Sequence, residues 1–267
     1  MTTTARVTVE EGVVFGQGGG RDLLCDVYVP PEEKRNGAAI LLLHGGSWIA
    51  GDRTQLRGYG ILLGREGYLC VASEYRLLPE ANWPAQIHDA KAALRWLRKN
   101  AAMWGVDPDR IAVEGNSAGG HLALLLAGTQ GLEEFAGETD DGVSDAVKAV
   151  MAVYPPTVLT ETTRATSEGR QLLIAMFGEG AAGEAVAELA SPITHAKPGF
   201  PPTLLISGTN DIVVPHESSV RMYEALAAAG VHVDLHLIAE QPHAFDMQPA
   251  FGRLNVQEML LFLSRYV

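Results

Sequence analysis

Residues 105–128 read GVDPDRIAVEGNSAGGHLALLLAG, and the order of features in this stretch decides the fold. Residues 111–114 (IAVE) are a short, largely apolar run of the kind that forms a buried strand. Residues 118–127 are apolar and rich in Ala and Leu, which favours a helix. Between them lies Gly115-Asn116-Ser117-Ala118-Gly119, a G-x-S-x-G turn from strand to helix. Gly115 and Gly119 have no side chains, so strand and helix can approach closely. A serine held on such a strained turn presents its hydroxyl, and the helix N-terminus behind it favours developing negative charge. Ser117 is therefore the candidate nucleophile.

Working outward, residues 38–43 (AAILLL) form an unbroken apolar run, as expected of a strand covered on both faces. Residues 24–29, 68–72, 147–154, 203–207 and 231–238 read as further strands, and 54–66 as a helix ending at Gly67. Over 86–102, Ile87, Ala90, Leu94, Leu97 and Ala101 fall on one helical stripe, with Lys91, Arg95 and Arg98 on another. Val220, Tyr223 and Leu226 mark a helix that stops at Gly230, and 254–266 is a last helix. Strand–helix alternation of this kind predicts an α/β fold with a mostly parallel sheet and helices on both faces. A chain of 267 residues suits one such domain, spanning 1–267. Two segments break the alternation. Residues 129–146 read as an acidic surface loop, and 157–190 as a small cap or lid insertion.

The net charge of −12 argues against nucleic acid and anionic membrane surfaces as partners. Cys25 and Cys70 sit in apolar strands and are expected to be buried free thiols. Residues 1–20 lack a basic segment followed by an apolar run, so no signal peptide is expected, and no stretch approaches membrane-spanning length. The expectation is a cytoplasmic protein acting on a small molecule, with no metal and no organic cofactor; self-association is left open.

His44-Gly45-Gly46-Ser47-Trp48 follows the 38–43 strand. Glycines at the carboxyl end of a strand let backbone N–H groups point into a cleft, where they can stabilise an oxyanion. The candidate oxyanion positions are Gly45, Gly46, Ser47 and Ala118, with Gly46, Ser47 and Ala118 as donors; His44 is read as bracing its loop. A serine hydroxyl needs a base to take its proton. Among the histidines after Ser117, His243 lies in a loop (EQPHAF, 240–245) beyond the last strand, where it could reach the sheet edge. Asp211, in GTNDIVVP (208–215) after the 203–207 strand, is the candidate acid; Glu240, Asp246 and Asp234 are rivals. The order serine, acid, histidine is the one this topology uses. His232, Asp234 and His236 share a strand face, which reads as a solvated polar face rather than a metal site.

Several motifs in order, HGGSW (44–48), YRLLPE (75–80), PAQIHDAKAALRWL (84–97), GVDPDRIAVEGNSAGGHLA (105–123), ASPITH (190–195), PPTLLISGTNDIVVP (201–215) and PHAF (242–245), resemble the hormone-sensitive-lipase-like esterases of the α/β-hydrolase fold. The likeness is strongest to their compact bacterial acetyl-esterase and feruloyl-esterase-like branch, and covers the chain from about Asp22 onward. It implies a serine carboxylesterase cleaving small esters through an acyl-enzyme. Ser117, Asp211 and His243 match the family's triad, and Gly46, Ser47 and Ala118 its oxyanion positions. This chain has Ser47 where the family usually carries a third glycine, and Asn116 where many relatives have aspartate. The long N-terminal helical cap of larger relatives is absent by this reading, which leaves 157–190 as the cap. Trp48 and Trp83 are candidate cleft residues, and Asp89 matches a structural position. Two alternatives stay open: an arylformamidase acting on N-formylkynurenine, and a non-catalytic receptor on the same scaffold.

Overall fold

Along Ala39–Leu43 (β3) every residue is buried, yet successive side chains enter different cores. Leu41 and Leu43 join one cluster, Ile40 and Leu42 the other, as the two-residue period of a strand requires. A computed structural model describes residues 6–137, 142–160 and 167–267. Its sheet has eight strands in the order β1-β2-β4-β3-β5-β6-β7-β8. These are β1 (Thr8–Gly18), β2 (Arg21–Val29), β3, β4 (Leu69–Ser73), β5 (Ile111–Asn116), β6 (Val150–Val153), β7 (Thr203–Gly208) and β8 (Val233–Ile238). The pairs β1–β2 and β2–β4 are antiparallel, and the remaining pairs are parallel. The carboxyl ends of β3, β5, β6, β7 and β8 therefore point to one edge, where loops can gather a site.

The helices are α1 (Arg57–Arg65), α2 (Ala85–Asn100), α3 (Ala118–Gly128), α4 (Ser167–Phe177), α5 (Gly180–Leu189), α6 (Glu217–Ala228) and α7 (Pro249–Tyr266). One core packs Leu41, Val71 and Val113 against α2, α3 and α6. The other packs Ile40, Leu42 and Met151 against α1 and α7 through Leu63, Met259, Phe262 and Leu263. Each such side chain contributes roughly 1.5–3 kcal/mol relative to exposure. Cys25 and Cys70 are free and buried on β2 and β4. Burial pushes the Cys25 thiol up to about 12, and that of Cys70 higher still.

The acidic loop is less of a surface feature than its composition suggests. Residues 138–141 of it lie outside the described residues. Its described part lies over the basic stripe of α2, which is not a solvated face. Lys91 is fully buried, and its Nζ donates to Asp145 Oδ2 and to the Thr129 carbonyl, both at 2.6 Å. Arg95 donates to the Ala136 carbonyl at 2.7 Å, and Arg98 to the carbonyls of Ser144 and Ala146. A long basic side chain on a helix is read as solvated until something distant in sequence covers it, and here the loop does. Of the expected cap over 157–190, residues 161–166 lie outside the described residues, and α4 and α5 make up most of the rest. Among the described residues, no helix is long and apolar enough to cross a membrane.

Candidate active site

Ser117 sits between β5 and α3 with φ +55° and ψ −119°, a conformation strained for a residue with a side chain. Its N–H donates to the Val153 carbonyl and its own carbonyl accepts from the His121 N–H, both at 2.9 Å. The glycines on either side make the turn possible. A Cβ on Gly119 would lie 1.9 Å from the Leu43 carbonyl oxygen, and one on Gly115 would lie 2.2 Å from the Gly119 carbonyl oxygen. No other residue allows β3, β5 and α3 to meet this closely.

Asp211 follows β7 and is buried, while His243 follows β8 in a half-buried loop. Asp211 Oδ1 accepts the N–H groups of Val213 (2.9 Å) and Val214 (2.8 Å), which leaves Oδ2 for the imidazole. The His243 Nδ1–H donates to that Oδ2 at 2.6 Å, and Nε2 lies 3.0 Å from Ser117 Oγ. The three residues singled out in the sequence thus form one continuous hydrogen-bonded chain, although 126 positions separate Ser117 from His243.

None of the rival acids bonds the His243 ring. Asp234 pairs with Arg265, Glu240 is exposed, and Asp246 accepts hydrogen bonds from Asn116, Tyr59 and Tyr154. Other histidines are also committed: His121 Nε2 to the Ala190 carbonyl (2.8 Å), His195 Nε2 to the Leu189 carbonyl (2.7 Å), and His236 to Glu258 (3.2 Å). His236 and Asp234 are thus tied to separate partners on α7. Among the described residues, no group of three His, Cys, Asp or Glu could hold a metal.

The loop after β3 runs through Gly46, Ser47 and Trp48 with φ of +123°, +53° and +59°. It closes on the Gly46 carbonyl, which accepts the N–H groups of Ile49 (3.1 Å) and Ala50 (3.0 Å). A Cβ on Gly46 would lie 2.0 Å from the Ala50 carbonyl oxygen, so glycine is required there. A Cβ on Gly45 would lie 3.2 Å from Ser117 Cβ, which places this loop directly against the Ser117 turn. Ala118, as the first residue of α3, carries an N–H without an intrahelical acceptor.

His44 braces the loop as its position suggested. Its ring stacks on Tyr75 (centroids 4.3 Å apart), its Nδ1 bonds the Gly45 carbonyl, and burial lowers its pKa. Trp48 lies in the core at 4% exposure, edge-on to His121, rather than opening onto the cleft as a surface aromatic would. Trp83 is half-buried and packs against Phe177 of α4 (5.5 Å) and against His121 (6.0 Å). Asp89 accepts a bidentate pair from Arg76 at 2.7 and 2.8 Å, in keeping with a structural position.

Sequence reading missed the polar pocket behind the Ser117 turn. Glu114, two residues before Asn116 on β5, is fully buried with neither carboxyl oxygen hydrogen-bonded. Burial, reinforced by Asp246, holds its pKa well above the usual carboxylate range. Tyr154, at φ +41°, lays its ring 4.5 Å from that of His243. The only local sign was a tyrosine ending a strand before Pro155-Pro156, and that sign does not reveal a contact with residue 243.

Residues 25–226 match the BD-FAE family. The chain belongs to the BD-FAE family, a hormone-sensitive-lipase-like group. This BD-FAE chain resembles named esterases. It is 32% identical to esterase LipQ of Mycobacterium tuberculosis over 86% of this chain and 56% of that protein. It thus spans about half the length of the curated relatives it matches. Esterase 2 of the planctomycete Thermogutta terrifontis, solved with propionate bound, superposes with a TM-score of 0.81 at 27% identity, covering 98% of this chain and 94% of that one. The same esterase phosphoramylated by tabun matches at a TM-score of 0.80 and 27% identity, over 99% and 96% of the chains. This BD-FAE chain has the α/β-hydrolase fold.

Proposed function

We propose that this chain is a serine carboxylesterase that hydrolyses small, short-acyl esters through an acyl-enzyme. The observation that carries the reading is the chain Asp211–His243–Ser117, with links of 2.6 and 3.0 Å. In this reading His243 Nε2 takes the Ser117 proton as Oγ attacks the ester carbonyl carbon. The carbonyl oxygen gains charge beside the N–H groups of Gly46, Ser47 and Ala118, each worth a factor of about 10²–10³ in rate. His243 then protonates the departing alcohol oxygen, and water attacks the acyl-enzyme by the same route. Asp211 fixes the tautomer, because backbone N–H groups hold its other oxygen. Gly45 serves by bringing the oxyanion loop against Ser117.

The short-acyl preference rests on α4 and α5, read as a small cap. Phe177 of α4 meets Trp83, and Trp83 meets His121, one helical turn beyond Ser117. In this reading a cap of two short helices that packs toward the Ser117 helix would leave little room for a long tail. The propionate bound by the Thermogutta esterase and that enzyme's reaction with an organophosphate support both parts of the proposal.

The test is a series of p-nitrophenyl esters of rising acyl length, with N-formylkynurenine alongside. The expected result is highest kcat/KM on the shortest esters, with Ser117→Ala lowering kcat by at least about 10⁴-fold. Undiminished activity in Ser117→Ala would overturn the mechanism. A peak on long acyl chains would overturn the substrate class, and faster turnover of the formamide would move the activity to amide bonds.

A further inference from the structure

The carboxylate of Asp246 draws together four segments of the chain behind the nucleophile turn. Its Oδ2 accepts from Asn116 Nδ2 at 2.7 Å and from the Tyr59 hydroxyl at 3.0 Å, and its Oδ1 accepts a short bond from the Tyr154 hydroxyl. Asn116 Nδ2 also donates to the Tyr154 oxygen at 3.3 Å, and Asn255 Nδ2 to the Tyr59 oxygen at 3.1 Å. Each partner leads toward a reacting group. Asn116 precedes Ser117 directly, Tyr154 lies against the His243 ring, and Asp246 itself follows His243 by one short turn that includes Ala244 at φ +58°. Asp246 makes no hydrogen bond to Ser117 or His243, so it acts only through these neighbours.

We propose that Asp246 is a positioning residue that holds the Ser117 turn and the His243 ring at proton-transfer distance. This rests on the reading of those two residues as nucleophile and base. The Asn116–Asp246 bond ties the β5 turn to the loop after β8 without using either reacting atom. A misplacement of about 1 Å between reacting groups can cost roughly 10²-fold in rate.

The donor–acceptor polarity of the pair supplies the test. Asp246→Asn sets an amide against the amide of Asn116, and Asn116→Asp sets two carboxylates face to face. The double variant restores one amide opposite one carboxylate. Each single variant is expected to lower kcat about 10–100-fold with KM nearly unchanged, and the double variant to recover to within about five-fold of the parent. Tyr154→Phe keeps the ring against His243 and removes one bond to Asp246. It should lower kcat a few-fold, and it decides the matter if the charge variants do not fold.

A fall in stability with kcat retained in Asp246→Asn and Tyr154→Phe would overturn the proposal. So would a double variant no faster than its worse parent. Inert parent protein, or active Ser117→Ala, would instead overturn the esterase reading. Active parent, dead Ser117→Ala and unimpaired Asp246→Asn would remove this inference alone.

Discussion

On one face of the sheet, Leu41, Leu43 and Val113 pack against α3, a helix buried along its whole length. On the other face, directly behind the same serine, lie Glu114, Asn116, Tyr59, Tyr154, Asp246 and Asn255, a pocket of polar side chains among apolar ones. Strand periodicity puts Val113 and Gly115 toward the first face and Glu114 and Asn116 toward the second. The first face supplies cohesion, since tight apolar packing has no directional preference of its own. The second supplies direction, because hydrogen bonds fix angles as well as distances. Ser117, on a strained turn between the two faces, is held by both.

Three measurements would break or sharpen this contrast. The largest effect belongs to the apolar face. Leu124→Ala empties a fully buried site on α3 and should cost roughly 4 kcal/mol in denaturant unfolding, with kcat unchanged under conditions where the variant is folded. A cost below about 1 kcal/mol would mean that this face is loosely packed.

Next comes acid. His121 belongs to the apolar side, and burial lowers its pKa from 6.5 to about 4. The native state therefore binds the proton less readily than the unfolded chain does. The stability from this group is fully present above pH 6.5 and is lost as pH falls toward 4, on the order of 3 kcal/mol in all. Unfolding followed across that window should show the slope, and His121→Gln should flatten it.

The smallest effect has the opposite sign and belongs to the polar face. Glu114 has a raised pKa, so its native state holds the proton more tightly. Its favourable contribution is complete below the ordinary 4.5 and is lost as pH climbs through the raised value. Glu114→Gln should gain a few degrees in Tm over the parent at neutral pH and nothing at pH 4, as read by thermal melts. A gain that shrinks with rising pH would place an ionised partner beside Glu114 that the structure does not contain.

Much of this architecture is legible in the sequence because it depends on local pattern. The run of residues 39–43 announces a strand covered on both faces, and G-x-S-x-G between strand and helix announces the elbow. Ser117, Asp211 and His243 were readable because each ends or follows a strand whose carboxyl end the topology sends to one edge. The pocket behind the elbow was not readable. Asp246 appeared in the sequence only as a rival for the acid's place, being close to His243, and its real partners lie 92–187 positions away. The surroundings of Lys91 were unreadable for the same reason: its place on a basic stripe of α2 does not reveal the loop bearing Asp145 that covers it. Period reveals which side of an element faces in. It says nothing of what remote segment will lie there, and long-range polar pairing is decided by that segment.

The two thiols described on β2 and β4 also have a practical consequence. With side chains sealed in the sheet and held in the neutral SH form, neither sulfur competes for electrophiles. A phosphonate or sulfonyl fluoride added to the folded protein to test the proposed role of Ser117 would therefore meet no thiol side reactions. A mass increment after labelling of the folded protein would therefore not arise from cysteine.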